Sequence, residues 1–264
     1  MRRILPLITA LILAAPALAA TSPPGVNIRW DLCYGDGGAA NKVFACDTNS
    51  GSERLVLSFV LDSPMVGVSG NEIIVDLAAT AATLPAWWTF KNVGTCRIAA
   101  LGLNTVATPG PACIDWAING PATAGIGAYD IGVRGPNTAR IKIANAVQAS
   151  ALADLSAGQE YFSMNVTITN QKTVGTSSCA GCDVPLCIVY QSLKLTTQVA
   201  ANDRRFINGA NSQDSQIATW QHAHITGVTL SCGMTGCDHN FGCAAFDPTS
   251  ARNSTWGAVK SLYR

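Results

Sequence analysis

All three histidines of the chain, His222, His224 and His239, fall in its last quarter. If His222-Ala-His224 lies on a strand, both imidazoles project from one face, because strand side chains alternate. His239 follows in a nearby loop between cysteines. Three converging imidazoles would bind zinc or copper. The plainer reading is a pair of solvent-facing histidines with no ion, since cysteines joined in disulfides offer no thiolate ligand.

Two further patterns invite chemistry. Cys179-Ala-Gly-Cys182 has the spacing of a redox pair, but that chemistry needs a helix starting at the first cysteine to lower its thiol pKa. Gly175-Thr-Ser-Ser precedes it and Pro185 follows, so a structural disulfide is the expectation. Trp87, Trp88 and Trp116 would stack on sugar rings, with Asp115 as the polar partner. The competing reading puts these rings in a hydrophobic layer beside the proline loop.

Catalytic machinery is harder to assemble. The chain has no G-x-S-x-G and no H-E-x-x-H. Asp76, Asp130 and Glu160 stand apart from one another, so no glycosidase pair is nominated. Lys42 is followed by Val rather than Ser or Thr, so the glycine-rich loop before it is no phosphate cradle. No catalytic residue and no cofactor is expected.

Arg2 and Arg3 precede an apolar run from Ile4 to Leu18, and Ala17-Leu18-Ala19 suits a cleavage site. Residues 1–19 therefore read as a secretory signal peptide, too short for a stable span. Its removal lowers Lys plus Arg from 17 to 15 against 16 Asp plus Glu, for a net charge of about −1. Without a basic stripe, nucleic acid is a poor partner, and no later run is long enough for membrane insertion. Charged residues make up only 12% of the chain, which leaves a polar, weakly charged surface open to self-association.

The ten cysteines, Cys33, Cys46, Cys96, Cys113, Cys179, Cys182, Cys187, Cys232, Cys237 and Cys243, all follow the signal. An even count in an exported chain reads as a disulfide framework. Cys33–Cys46 and Cys96–Cys113 are the expected local pairs, each contributing about 3 kcal/mol by loop closure. The remaining six form two odd triplets, so full oxidation requires a bridge from 179/182/187 to 232/237/243.

The elements that must position these groups are strands. Leu55, Leu57, Phe59 and Leu61 share one side of a period-2 pattern, and Ile73, Val75 and Leu77 repeat it. Asp62-Ser-Pro and Ser69-Gly-Asn71 supply turn residues between the two runs, which are expected to pair. Val26, Ile28 and Trp30 alternate, as do Tyr129, Ile131 and Val133, and Ile141 and Ile143. Phe162, Met164, Val166 and Ile168 make the cleanest half-buried strand. With 187–195 and 223–230 the count is about eight to ten. Residues 149–155 read as a turn or two of helix ending at Gly158.

At the C-terminus, Trp256, Val259 and Leu262 have helical spacing behind Ser254 and Thr255. TWGAVKSLYR is then either a docked helix or a recognition tag for export or surface attachment.

NEIIVDL, LPAWWTFKNVGTCR, the SSCAGCDVPLCIV cluster and TWGAVKSLYR together resemble an uncharacterised family of exported bacterial β-domain proteins. The resemblance spans most of the mature chain, and the segment from Cys232 to Cys243 lies beyond its pattern. It implies export and carries no activity.

The chain thus reads as an all-β protein. Residues 20–264 form a single antiparallel β-sandwich, jelly-roll or immunoglobulin/cohesin-like, with disulfide-stapled loops and a short C-terminal helix. The leading functional reading is a secreted, non-enzymatic structural or interaction protein of the extracellular space or cell surface, with a protein or glycan partner. The alternatives are a carbohydrate-binding module using Trp87, Trp88, Trp116 and Asp115, and a metal-binding protein using the three histidines.

Overall fold

Among the described residues, period-2 runs of branched and aromatic residues become thirteen strands, most of them short. The computed structural model describes residues 22–107, 110, 112–206 and 215–223. In order they are β1 (Gly25–Trp30), β2 (Asn41–Lys42), β3 (Ser52–Val60), β4 (Met65–Ala79), β5 (Leu101–Asn104), β6 (Cys113–Asp115) and β7 (Thr123–Ile131). Then follow β8 (Thr138–Ala146), β9 (Ala153–Leu155), β10 (Glu160–Thr169), β11 (Leu186–Thr197), β12 (Arg204–Phe206) and β13 (Ile217–Trp220). The signal segment, the strand expected beyond Ala223 and the C-terminal helix lie outside the described residues.

The strands form two packed sheets. The first runs β1-β3-β10-β5, with β6 also on β10; the second runs β2-β13-β11-β4-β8-β7, with β12 on β11 and β9 on β4. Pairing is antiparallel except for two short parallel additions, β6 on β10 and β2 on β13. One face of each sheet supplies the core between them. Val26, Ile28, Leu55, Leu57, Phe59, Met164 and Val166 come from the first sheet. Ile73, Val75, Leu77, Ile141, Ile143, Ile188 and Leu193 come from the second. The alternation seen in the sequence is this division between core and outer face.

Several expectations change. β3 and β4 do not pair: β3 sits between β1 and β10, whereas β4 sits between β11 and β8. Asp62-Ser-Pro carries the chain from one sheet to the other instead of closing a hairpin. Ser69-Gly70-Asn71 is not a turn but part of the fifteen-residue β4. Gly70 is there because β8 comes close: a Cβ on it would lie 2.6 Å from the Asn145 carbonyl oxygen. Residues 153–155 are strand rather than helix, because pairing with β4 satisfies a backbone too short to nucleate a helix alone.

β10 is also more enclosed than a half-buried strand. Ser163 and Asn165 are as buried as Met164 and Val166. At the bulge between Phe162 and Met164, Ser163 reaches the second sheet, its Oγ 3.4 Å from Asn71 Oδ1 of β4; on the outer side, the loops joined by Cys33 and Cys113 pack their cysteines on Val56 and Phe162. At the start of β10, buried Glu160 holds the same cover down. Its carboxylate accepts from Ser58 Oγ (2.6 Å), Ser22 Oγ (2.5 Å) and the backbone N–H groups of Tyr34 (3.1 Å) and Gly35 (2.8 Å).

The disulfides are Cys33–Cys113, Cys46–Cys182 and Cys96–Cys179, with sequence separations of 80, 136 and 83. The expected local pairs are therefore wrong. Loop-closure entropy favours long loops once the fold has brought distant cysteines together, at about 4–5 kcal/mol for loops near 100 residues against ~3 for short ones. Cys187 is disulfide-bonded too. Its partner lies outside the described residues, as do Cys232, Cys237, Cys243 and the expected bridge between the two triplets.

Non-reducing proteolysis with mass spectrometry checks this wiring. Peptides containing Cys46 and Cys182 should travel together, as should those containing Cys96 and Cys179. A 33–46 linked peptide from folded protein would overturn the connectivity.

Candidate functional site

Of the residues proposed for chemistry, Trp87, Trp88 and the Cys179–Cys182 segment meet at one end of the sandwich, which two disulfides close. After β4 the chain makes a single 3₁₀ turn, Ala86–Trp88, behind Pro85. Proline sets the entry dihedral and leaves no donor to satisfy, so the segment turns inward instead of extending the sheet. Cys96–Cys179 and Cys46–Cys182 then tie this loop and the loop after β2 to the β10–β11 connection.

Trp87 and Trp88 are 0% exposed. They form one aromatic cluster with Trp220 from β13. Trp87 stacks on Trp220 with centroids 5.2 Å apart, Trp88 meets it edge-on at 5.4 Å, and Trp30 and Phe44 close on the same ring. Phe90 and Tyr129 extend the cluster beyond Trp88. Three indole donors find internal partners, Trp87 Nε1 on Thr173 Oγ1 (3.0 Å), Trp220 Nε1 on the Cys182 carbonyl (2.6 Å) and Trp30 Nε1 on the Thr219 carbonyl (2.8 Å), whereas Trp88 Nε1 has none among the described residues. Tyr129 donates its hydroxyl to the Trp88 carbonyl, and burial pushes its phenol well up.

Trp116 is equally buried but sits beside β6, with its backbone N–H on Phe162. No ring contact joins it to Trp87 or Trp88. Asp115 accepts from the Ala117 N–H (2.9 Å), and burial pushes its carboxyl up. A sugar platform needs coplanar exposed ring faces; here all three rings are core. The carbohydrate assignment of Trp87, Trp88, Trp116 and Asp115 is corrected on that ground.

His222 is exposed just after β13, at φ +52°, and its backbone belongs to a turn. The alternation that would align it with His224 therefore does not apply at this position. Its Nδ1 lies 3.1 Å from Asn41 Nδ2, an amide rather than a carboxylate or nucleophile. His224 and His239 lie outside the described residues. Among the described residues one group has metal-ligand types in reach: Cys33, Asp36 and Cys113, with ligand atoms within 4.8 Å of one another. Two of those atoms are the sulfurs of one disulfide, and Asp36 Oδ1 accepts from the Ala112 N–H (2.8 Å).

The acids have structural work. Asp76 and Arg140 form a buried bidentate pair at 2.6 Å across β4 and β8. Burial pushes the Asp76 carboxyl up against the pull of Arg140. Asp130 pairs with Lys142 at 2.7 Å, and Lys42 bridges Asp31 (3.0 Å) and Glu53 (2.9 Å). Cys179-Ala-Gly-Cys182 is not a redox pair, since its two sulfurs bond to different distant cysteines.

The residue that sequence reasoning missed is Arg97. It is 1% exposed and sits 3.6 Å above the Trp87 ring centroid. Its guanidinium donates to the carbonyls of Trp87 (2.7 Å), Gln171 (3.1 Å) and Thr169. Burial pushes it down to about 9, which leaves it charged at neutral pH. The one sequence signal was its place beside Cys96 in an aromatic-rich stretch. Around this buried centre the solvent-facing rim carries Val93, Ile98 and Val174. Such a rim can meet a partner; nothing in it pairs a nucleophile with a base.

Replacing Arg97 by lysine should destabilise the fold by about 2 kcal/mol although the charge is kept, because an ammonium cannot reach three carbonyls or stack on the indole. Urea titration of the oxidised protein, followed by tryptophan fluorescence, measures it. A shift below about 0.5 kcal/mol would remove Arg97 from its central role.

No protein-family model, no curated protein and no solved structure matches the chain, so what this end of the molecule does is argued from its geometry.

Proposed function

We propose that the chain is an exported, non-enzymatic structural or interaction protein that works in the extracellular space or at the cell surface, against a protein or glycan partner. The observation that carries the reading is the use of its reactive groups. Six described cysteines close three long loops, and a seventh is disulfide-bonded as well. The aromatic rings and the acids that chemistry would have drawn on are spent on packing and ion pairs. Disulfides of this kind persist in oxidising compartments.

One further feature points the same way: residues 1–19 have the pattern of a secretory signal. No helix among the described residues is long and apolar enough to cross a membrane.

The test is fractionation of a bacterial host expressing the full chain, with maleimide labelling of each fraction. The full chain should leave the cytoplasm and take up no label unless reduced. A version lacking residues 2–19 should stay inside with labelled thiols. A full chain that remains cytoplasmic and reduced would overturn the reading.

A further inference from the structure

Among the described residues, β7 ends the second sheet, pairing with β8 on one side only. At nine residues it is the longest strand on a sheet border; β5 has four and β2 has two. The other long border, β1, is partly occupied. Ile28 donates its N–H to the Ser215 carbonyl (2.7 Å), and Arg29 reaches the carbonyls of Ser215 and Ile217.

Two side chains bracket an open window, one bonding just before β7 and one within it. Thr105 Oγ1 donates to the Ala122 carbonyl (2.9 Å) and Asn92 Nδ2 donates to the Tyr129 carbonyl (3.1 Å). Between them, among the described residues, nothing but β8 bonds to the backbone of Thr123–Ala128.

Open edges of soluble proteins are ordinarily protected by lysine, proline or a covering loop. The window TAGIGA carries no charge and no proline. Its one protective device is the irregularity between Ile126 and Ala128. The nearest charge on the strand, Asp130, is neutralised by Lys142 (2.7 Å).

We infer that β7 is an association edge, where a second copy of the chain adds its own β7 antiparallel about a two-fold axis; this rests on the structural or interaction reading above. Identical antiparallel edges are self-complementary, so outward N–H groups meet carbonyls of the partner wherever the strand is regular. A window without charges brings no like-charge repulsion to the axis. Exposed Val106, next to Thr105, and exposed Ile131 frame the window with apolar surface at its two ends. A chain with so few charges offers little other resistance to self-contact.

Gly125 gives a clean probe. It is absent from the positive-φ positions, and a Cβ built on it meets nothing within 4 Å. Gly125→Lys and Gly125→Glu should therefore fold with unchanged thermal midpoints. Sedimentation velocity of the oxidised full chain over a concentration series reads the association. Each variant alone should associate at least about tenfold more weakly than wild type, because its charge meets its own copy across the axis. An equimolar mixture of the two should recover the association.

A wild-type chain that stays monomeric at every concentration, or variants that associate as well as wild type, would overturn the inference. So would a monomer that takes up a foreign extended peptide at this edge. Export into the oxidising compartment would be unaffected by any of these results, so the two proposals fail separately.

Discussion

Arg97 is the constraint on which the stapled end depends. A guanidinium removed from water loses hydration that only directed partners can replace. Here the partners are three backbone carbonyls and the face of an indole, with no carboxylate among its hydrogen-bond acceptors. Those carbonyls belong to different segments: the 3₁₀ turn at Trp87, the end of β10 at Thr169 and the loop beyond it at Gln171. Satisfying one side chain therefore fixes the relative position of two connections that are far apart in sequence. The disulfide from neighbouring Cys96 to Cys179 fastens the same two connections covalently. Trp87 and Trp88 are then held where β13 can lay Trp220 against them, and Cys182 supplies the acceptor for the Trp220 indole. The rigidity of this end follows from charge burial, aromatic packing and cross-linking acting on the same few residues.

The opposite covering of the sandwich uses the inverse arrangement, an anion ringed by donors. Glu160 receives two hydroxyls and two backbone N–H groups, and this draws residues 34–35 onto the outer face of the first sheet. Gly35 is needed for that approach, since a Cβ there would stand 2.8 Å from the carboxylate and 2.6 Å from Ser22 Oγ. With Cys33–Cys113 alongside, the covering loops exclude water from Val56 and Phe162. Hydrogen bonding here serves to bury a second layer. Both carboxylate oxygens are thereby committed to contacts inside the fold.

Much of the sheet was legible because a strand buried on one face announces itself by period 2. The inward faces of β1, β3, β4, β8 and β10 follow directly from Val26/Ile28, Leu55/Leu57/Phe59, Ile73/Val75/Leu77, Ile141/Ile143 and Met164/Val166. Pairing was not legible, since the pattern says which face is buried and not which strand lies beside it. β3 and β4 illustrate this: adjacent in sequence and alike in pattern, they belong to different sheets. Disulfide partners are set by that same long-range topology, so proximity of Cys33 to Cys46 along the chain carried no information. The tryptophans were ambiguous because a large amphipathic ring serves a core or a platform equally well until its exposure is known. Arg97 was missed because, apart from its place beside Cys96, a lone arginine before an isoleucine looks like any surface cation.

The two borders of the second sheet show how unevenly this fold treats its edges. One border ends in the two-residue β2, too short to template another strand. Gln221 and His222 bond across to the same neighbourhood, further occupying it. The other ends in β7, whose glycines and alanines leave the backbone accessible. Elsewhere the chain uses charge to fasten adjacent strands, as in Asp76 with Arg140 and Asp130 with Lys142, both across β8. Those pairs secure β8 to its neighbours on each side and leave no charge in the window of β7. Ionic contacts thus lie inside the sheet and small apolar residues at its rim. With the sandwich held by disulfides, that edge stays folded without the strand itself having to unfold.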